Sequence, residues 1–241
     1  MKIIGIIPAR YASTRFPGKP LVDICGKPMI QRVFEQVKKV KEFSEVFVAT
    51  DDERIQVCCQ ERGIPVVMTR SNHPDHIARV WEVSEKIVAD AYVCVNGDEP
   101  LIDPDSIVRV IKTIPENTNA CWFRGAFRTL TDPAETIDFA KIKICVSKEG
   151  RGIYMSRSPV PYPRGTLFFK YKKYVGIECF SKAALDFFVS TGMGDLERAE
   201  DIDHLRFLEN GKELFFTEVD SDSISVDTPK DADKVRELFY R

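Results

Sequence analysis

Arg10, Arg15 and Lys19 crowd three cations into one short loop. The loop follows directly on Ile3 to Ile7, an apolar run short enough for a buried strand. Like charges this close repel one another. A chain tolerates them at the carboxyl end of a buried strand chiefly when something strongly anionic sits among them, and in an open α/β sheet that is usually a ligand phosphate. The competing explanation is solvated surface charge, the ordinary state of Arg and Lys. Against it, Pro8, Pro17 and Pro20 stiffen the segment, Gly18 supplies a permissive backbone position, and Ser13 and Thr14 add hydroxyl donors. Gly18-Lys19 runs into Pro20 and lacks the upstream Gly, so this is not a Walker loop, and it is not a Gly-x-Gly-x-x-Gly turn. The expected grip is through side-chain charge, with guanidinium forks taking oxygens in pairs.

A polyphosphate held by arginines usually brings Mg²⁺, which needs carboxylate oxygens. Asp98, in Asn96-Gly97-Asp98-Glu99-Pro100, follows an apolar strand pattern and should open onto the same sheet edge as Arg10 and Arg15. Glu99 beside it is a second candidate, and a solvated turn on Gly97-Asp98 is the plainer alternative. Asp227, in Ser225-Val226-Asp227-Thr228-Pro229, is expected between a short strand and the last helix, where Asp and Thr are also common helix caps.

The elements that must carry these groups alternate over the first hundred residues. Strands are expected at 3–7, 46–49, 66–68 and 92–95. Helical faces read through Met29, Ile30, Val33, Phe34 and Val37, through Ile55, Cys58 and Cys59, and through Ile77, Val80, Trp81, Ser84 and Ile87. This rhythm predicts a doubly wound, mostly parallel sheet with helices on both faces. Beyond it the pattern is less regular and partly antiparallel. Strands are expected at 121–123, 141–146, 152–155, 174–179 and 214–219, and helices at 183–189, 199–208 and from Pro229 through Leu238. The Pro-rich stretch from Ser158 to Gly165 reads as an excursion.

The 241 residues show no repeat or obvious linker, so a single domain with an elaborated second half is expected. A net charge of −2 gives no basic face for nucleic acid, and no apolar stretch approaches the roughly 20 residues that span a bilayer. Seven scattered cysteines without a Cys-x-x-Cys pair, together with the absence of a signal-peptide pattern, point to a reduced cytoplasmic protein.

Taken in order, Ile7 through Leu21, Val48-Ala49-Thr50-Asp51, Asn96 through Pro100 and Val226 through Pro229 closely resemble the 3-deoxy-manno-octulosonate cytidylyltransferase (CMP-Kdo synthetase) family over essentially the whole chain. The resemblance implies a Rossmann-like fold, a homodimer, and attack of an acid sugar's anomeric hydroxyl on the α-phosphorus of CTP. It assigns Arg10, Arg15 and Lys19 to the triphosphate loop, with Ala9, Ser13, Arg79 and Asn96 as further nucleotide contacts, and Asp98 and Asp227 to Mg²⁺. It divides the domain into a nucleotide-binding part at about 1–115, an acceptor and dimer part at about 116–220, and a C-terminal helix returning to the core. Lys143 and Arg157 match positions near the sugar site and the dimer contact.

Several segments depart from the family pattern. His-x-Ser-Gly-Thr-x-Arg becomes His73-Pro74-Asp75-His76-Ile77-Ala78-Arg79, and the Gln before Gly97 becomes Asn96. His-x-Gly-Ile-Tyr becomes Tyr174 through Glu178, and Glu-Gln-Leu-Arg becomes Asp203-His204-Leu205-Arg206. Tyr174, Glu178, Asp203 and His204 therefore join Lys143 and Arg157 as expected acceptor contacts. A retained donor core with an altered acceptor edge suggests a different acceptor: an amino-substituted or longer acid sugar, or another anionic hydroxyl compound. The alternatives are another nucleotide, a non-catalytic paralogue, and a zinc site on His73, His76 and His204.

Overall fold

A computed structural model describes residues 1–12, 15–166, 168–221 and 223–239. Eleven strands are present among them: β1 Ile3–Ala9, β2 Asp23–Ile24, β3 Lys27–Pro28, β4 Glu45–Thr50, β5 Val66–Met68, β6 Ala91–Val95, β7 Phe123–Thr129, β8 Lys143–Val146, β9 Gly152–Ser156, β10 Lys172–Phe180 and β11 Leu214–Glu218. The helices are α1 Met29–Val37, α2 Glu53–Gln60, α3 His76–Lys86, α4 Pro104–Ile111, α5 Pro133–Ile137, α6 Lys182–Ser190, α7 Asp195–Glu200, α8 Leu205–Glu209 and α9 Pro229–Phe239.

Nine strands form one sheet. Its main path runs β11-β7-β10-β6-β1-β4-β5, and β8 and β9 branch from β10. β1 is parallel to β4 and β6, β4 to β5, and β7 to β11; along the main path β10 alone is reversed. β1 shows why the sheet is covered on both sides. Ile3 and Ile7 enter the core against α1, α2 and α4, while Ile4 and Ile6 enter the core against α3, α6 and α8. Alternate side chains leave opposite faces of a strand, so a continuous apolar run fits a central parallel strand buried twice. Burying each such side chain stabilises the fold by about 1.5–3 kcal/mol.

A third cluster joins Ile24 and Met29 to Val226, Ala232 and Val235, so α9 returns to the first half. That return matters for Asp227. The stretch before it forms no strand, contrary to the sequence expectation; instead Val226 N–H donates to the Asp98 carbonyl at 2.8 Å. This bond sets the chain beside the end of β6.

Other differences have local causes. The expected strand at 121–123 becomes β7, which starts at Phe123 and runs through Thr129. The expected helix over 199–208 divides into α7 and α8 because Asp201 adopts a left-handed conformation, φ 52°. α4 and α5 lie outside the sequence pattern, yet each has an Asp cap followed by Pro. No described helix is long and apolar enough to cross a membrane.

Candidate active site

Two hollows lie side by side at the carboxyl ends of β1 and β6, with cavity volumes of about 450 and 440 Å³. Arg10, Arg15, His76, Asn96 and Asp98 line both, so they form the shared wall. The first hollow adds Ala9, Lys19 and Arg79; the second adds Asp227, Arg157, Tyr174, Glu178, Asp203 and His204. Ser13 lies outside the described residues.

The basic loop is shaped from within. Gly18 sits at φ 71°, and its N–H donates to Tyr11 O at 2.9 Å. A Cβ at Gly18 would meet the Tyr11 ring at 3.1 Å, and Arg54 stacks over that ring. A single 3₁₀ turn, Lys19–Leu21, follows and turns Lys19 inward. Its ammonium donates to Asp98 Oδ2 at 2.8 Å and Asp227 Oδ1 at 3.3 Å, while Arg15 Nη2 reaches Asp227 Oδ1 at 3.0 Å. Both carboxylates therefore converge on one point. Asp98 Oδ1 is buried with no hydrogen-bond partner, an acceptor set to receive a further cation or donor. The Arg15 side chain is 61% exposed and Arg10 is exposed, so both remain accessible to a ligand.

β1 and β6 end close together because Gly97 permits it: a Cβ there would stand 2.6 Å from the Pro8 carbonyl oxygen. Asn96 follows the same logic, since a Cβ on Gly176 would lie 2.4 Å from Asn96 Nδ2. Arg79 is fully buried beside the first hollow. It donates to Thr69 Oγ1 at 2.5 Å and pairs with Asp51 at 3.1 Å, leaving Nε and Nη2 without partners. Burial, reinforced by Arg10, pulls its guanidinium below the ordinary arginine value despite Asp51.

α3 presents Asp75, His76 and Arg79, and its entry is anchored twice. Asp75 caps it by accepting from Ala78 N–H at 2.7 Å. Glu82 accepts from Arg70 N–H at 2.9 Å and from Lys86 at 2.8 Å, and meets His73 Nε2. Burial alone would raise Glu82, but Lys86, Arg70 N–H and His73 outweigh it and hold the carboxyl at about 2. His73 is thereby committed to Glu82, while His76 and His204 face Glu178, so the three histidines do not share one centre.

The second hollow is built around that buried Glu178. His76 Nε2 lies 2.9 Å from Oε2, His204 Nε2 lies 3.0 Å from Oε1, and the Tyr174 hydroxyl donates to Oε1. His76 Nδ1 meets Asp203 Oδ2 at 3.2 Å. Burial would lower the His76 imidazole, but Glu178 and Asp203 hold it well above the usual histidine value. Glu178 is held below the usual carboxylate range, since the histidines outweigh its burial. Burial first, and Glu178 next, push the Tyr174 phenol upward. Glu99 also lines this hollow, pushed up to about 7 by burial and then by Asp98.

Lys143 departs from its expected place. It is fully buried and does not line either hollow; its ammonium donates to the Asp138 and Lys141 carbonyls at 2.8 and 2.6 Å. It therefore holds the 138–141 turn, and Lys141 from that turn lines the hollow instead. Lys173 joins it; the sequence pattern singles out neither as a contact. Arg157 does reach the hollow, though its guanidinium also donates to the Glu200 and Asp201 carbonyls, each at 2.7 Å.

A model of the cytidylyltransferase family matches residues 4–214. The chain is 38% identical to the mitochondrial 3-deoxy-manno-octulosonate cytidylyltransferase of Arabidopsis thaliana, over 99% of this chain and 83% of that protein. It is 41% identical to the 3-deoxy-manno-octulosonate cytidylyltransferase of Geotalea uraniireducens (strain Rf4), over 100% of both. Among solved structures, CMP:2-keto-3-deoxy-manno-octonic acid synthetase complexed with CTP matches with a TM-score of 0.93 and 36% identity, covering 100% of this chain and 99% of that one.

Proposed function

The chain belongs to the 3-deoxy-manno-octulosonate cytidylyltransferase family, and from that membership we propose that it transfers CMP from CTP to the anomeric hydroxyl of a 2-keto-3-deoxy acid sugar, releasing pyrophosphate. The observation that carries this is the convergence of Lys19, Arg15, Asp98 and Asp227 beside the wall between two hollows. One hollow suits the nucleotide and the other the acceptor.

Arg10, Arg15 and Lys19 hold the triphosphate and neutralise the departing pyrophosphate, so little covalent chemistry is asked of the protein. Arg79 contributes two buried N–H donors that a nucleotide's acceptors would satisfy. Asp98 and Asp227 fit Mg²⁺: their oxygens stand close enough to share one ammonium, and Asp98 Oδ1 lacks a partner. When bound there, Mg²⁺ supplies polarisation of the α-phosphoryl group. Lys141, Lys173 and Arg157 give the second hollow the positive charge that an acid sugar's carboxylate requires.

The acceptor is 3-deoxy-manno-octulosonate or an amino-substituted or longer relative, since the departures at His76, Glu178, Asp203 and His204 gather on that side. A cytoplasmic homodimer supplying lipopolysaccharide or capsule assembly completes the proposal. Ile137, Phe139 and Phe168, 76–93% exposed on the second half, support a covering partner copy.

Pyrophosphate release tests the activity. With each of the four nucleoside triphosphates against a panel of 2-keto-3-deoxy acid sugars, release is expected with CTP and an acid sugar together. Preference for another nucleotide, or no release with any acceptor, overturns the proposal.

A further inference from the structure

Beneath the second hollow, four side chains bearing metal-binding atoms meet from four parts of the chain: His76 at the start of α3, Cys94 in β6, Glu178 in β10 and His204 just before α8. The sheet fixes two of them. Glu178 and Cys94 are direct partners in the antiparallel β10–β6 ladder, so their side chains leave the same face together. A ring nitrogen of His76, Cys94 Sγ and a Glu178 oxygen all lie within 4.8 Å of one another. His204 Nε2 lies 3.0 Å from Glu178 Oε1, yet it is buried and makes no hydrogen bond.

We propose that His76, Cys94, Glu178 and His204 bind a zinc-class divalent cation at the floor of the second hollow, separate from Asp98 and Asp227.

Three features carry this. Two imidazoles, a thiol and one carboxylate form a nitrogen–sulfur–oxygen set that suits Zn²⁺ and not Mg²⁺, which takes oxygen ligands. His76 is oriented as metal-bound histidines are: Asp203 holds Nδ1 at 3.2 Å and leaves Nε2 facing inward. The Tyr174 hydroxyl steadies Glu178 in the same manner. Finally, His204 Nε2 is buried without a well-aligned hydrogen bond although it stands 3.0 Å from Glu178 Oε1, and a shared cation would satisfy both atoms.

The spacing allows closure. Bonds of about 2.0–2.3 Å in a tetrahedral shell put ligand atoms about 3.3–3.8 Å apart, so side-chain movements of about 1 Å bring His76, Cys94 and Glu178 into such a shell, with loss of the thiol proton and of the His76 Nε2 proton, and His204 joins it from its 3.0 Å approach to Glu178 Oε1. The ion would lock Glu178 and His204 in place and fix the shape of the floor against which the acceptor packs. The site stands on these four residues and does not require the CTP reaction.

Cobalt reads the site directly, because a thiolate ligand gives Co²⁺ a near-ultraviolet charge-transfer band. Chelator-stripped, folded protein is expected to bind Co²⁺ at a stoichiometry near one, to show that band, and to lose it to added Zn²⁺ but not to Mg²⁺. Cys94→Ser should abolish the band; Asp98→Ala and Cys121→Ser should keep it. Circular dichroism checks that each variant is folded. Should Cys94→Ser fail to fold, His204→Gln decides, and it should weaken Co²⁺ binding at least about tenfold, the loss seen when even an outer partner of a ligand is removed. Absence of the band in the stripped protein, its survival in folded Cys94→Ser, or unchanged affinity in His204→Gln overturns the site and leaves a hydrogen-bonded network around Glu178.

Discussion

Glu82 holds the entry to α3, and through it the positions of Asp75, His76 and Arg79. Its carboxylate is 8% exposed and receives Arg70 N–H, Lys86 and His73. These partners bring it from 4.5 to about 2. The difference corresponds to about 3 kcal/mol of folding free energy at neutral pH. The sign follows from the direction: a depressed carboxyl stabilises the fold above its unfolded value of 4.5, and that contribution is lost as pH falls toward about 2. By pH 3 roughly 2 kcal/mol of it is gone, because the carboxylate is protonated in the unfolded chain and still largely ionised in the folded one. Glu82→Gln keeps the shape and removes the charge. Urea unfolding of both proteins at pH 7 and pH 3 measures the effect. The variant should be less stable by about 3 kcal/mol at pH 7, and the gap should narrow by about 2 kcal/mol at pH 3. A gap that stays constant between the two pH values refutes the reasoning, since it would mean that packing, not charge, carries the contribution of Glu82.

Asp98→Ala should lower turnover at least about a hundredfold and weaken CTP binding less, as loss of charge stabilisation at the reacting phosphoryl demands; pyrophosphate release and nucleotide titration separate the two. Arg15→Ala should raise the KM for CTP about tenfold, the worth of one charge-assisted hydrogen bond at an exposed position, and an unchanged KM removes it from the clamp. Gly97→Ala forces a Cβ to within 2.6 Å of the Pro8 carbonyl and should cost about 1–3 kcal/mol in denaturant unfolding. Wild-type stability in that variant would show that the β1 and β6 ends are free to part.

The gathering of the basic loop at the sheet edge was legible in the sequence because its information is local. Arg10, Arg15 and Lys19 share one loop, and the strand before them fixes the edge onto which they open. Asp98 and Asp227 were legible as types, but the bond from Val226 to the Asp98 carbonyl that joins them spans most of the chain and leaves no periodic trace. α4 and α5 did carry a local signal, Asp103-Pro104 and Asp132-Pro133, in which an acidic cap precedes a proline that needs no N–H donor. The break between α7 and α8 was hidden for the opposite reason. Arg157, more than forty residues away, takes the Glu200 and Asp201 carbonyls and so ends a helix whose own periodicity continues. Lys143 was placed near the sugar site by the family resemblance alone, and no local pattern shows that its ammonium is taken up by the Asp138 and Lys141 carbonyls.

The reversal of β10 has a mechanical consequence. Donor residues sit where chains leave the sheet, in loops whose shape is held by a few bonds. Tyr174 and Glu178 sit inside a strand, paired with Phe127 and Gly125 of β7 on one side, with Glu178 also paired with Cys94 of β6 on the other and a register irregularity between Val175 and Glu178. One wall of the active site is therefore stiff and the other compliant. Under the proposed function the loop-borne wall is the one that folds around a charged, flexible triphosphate. Under the same proposed function the strand-borne wall acts as a template, in which a different acid sugar is fitted by exchanging one side chain for another at 174 or 178.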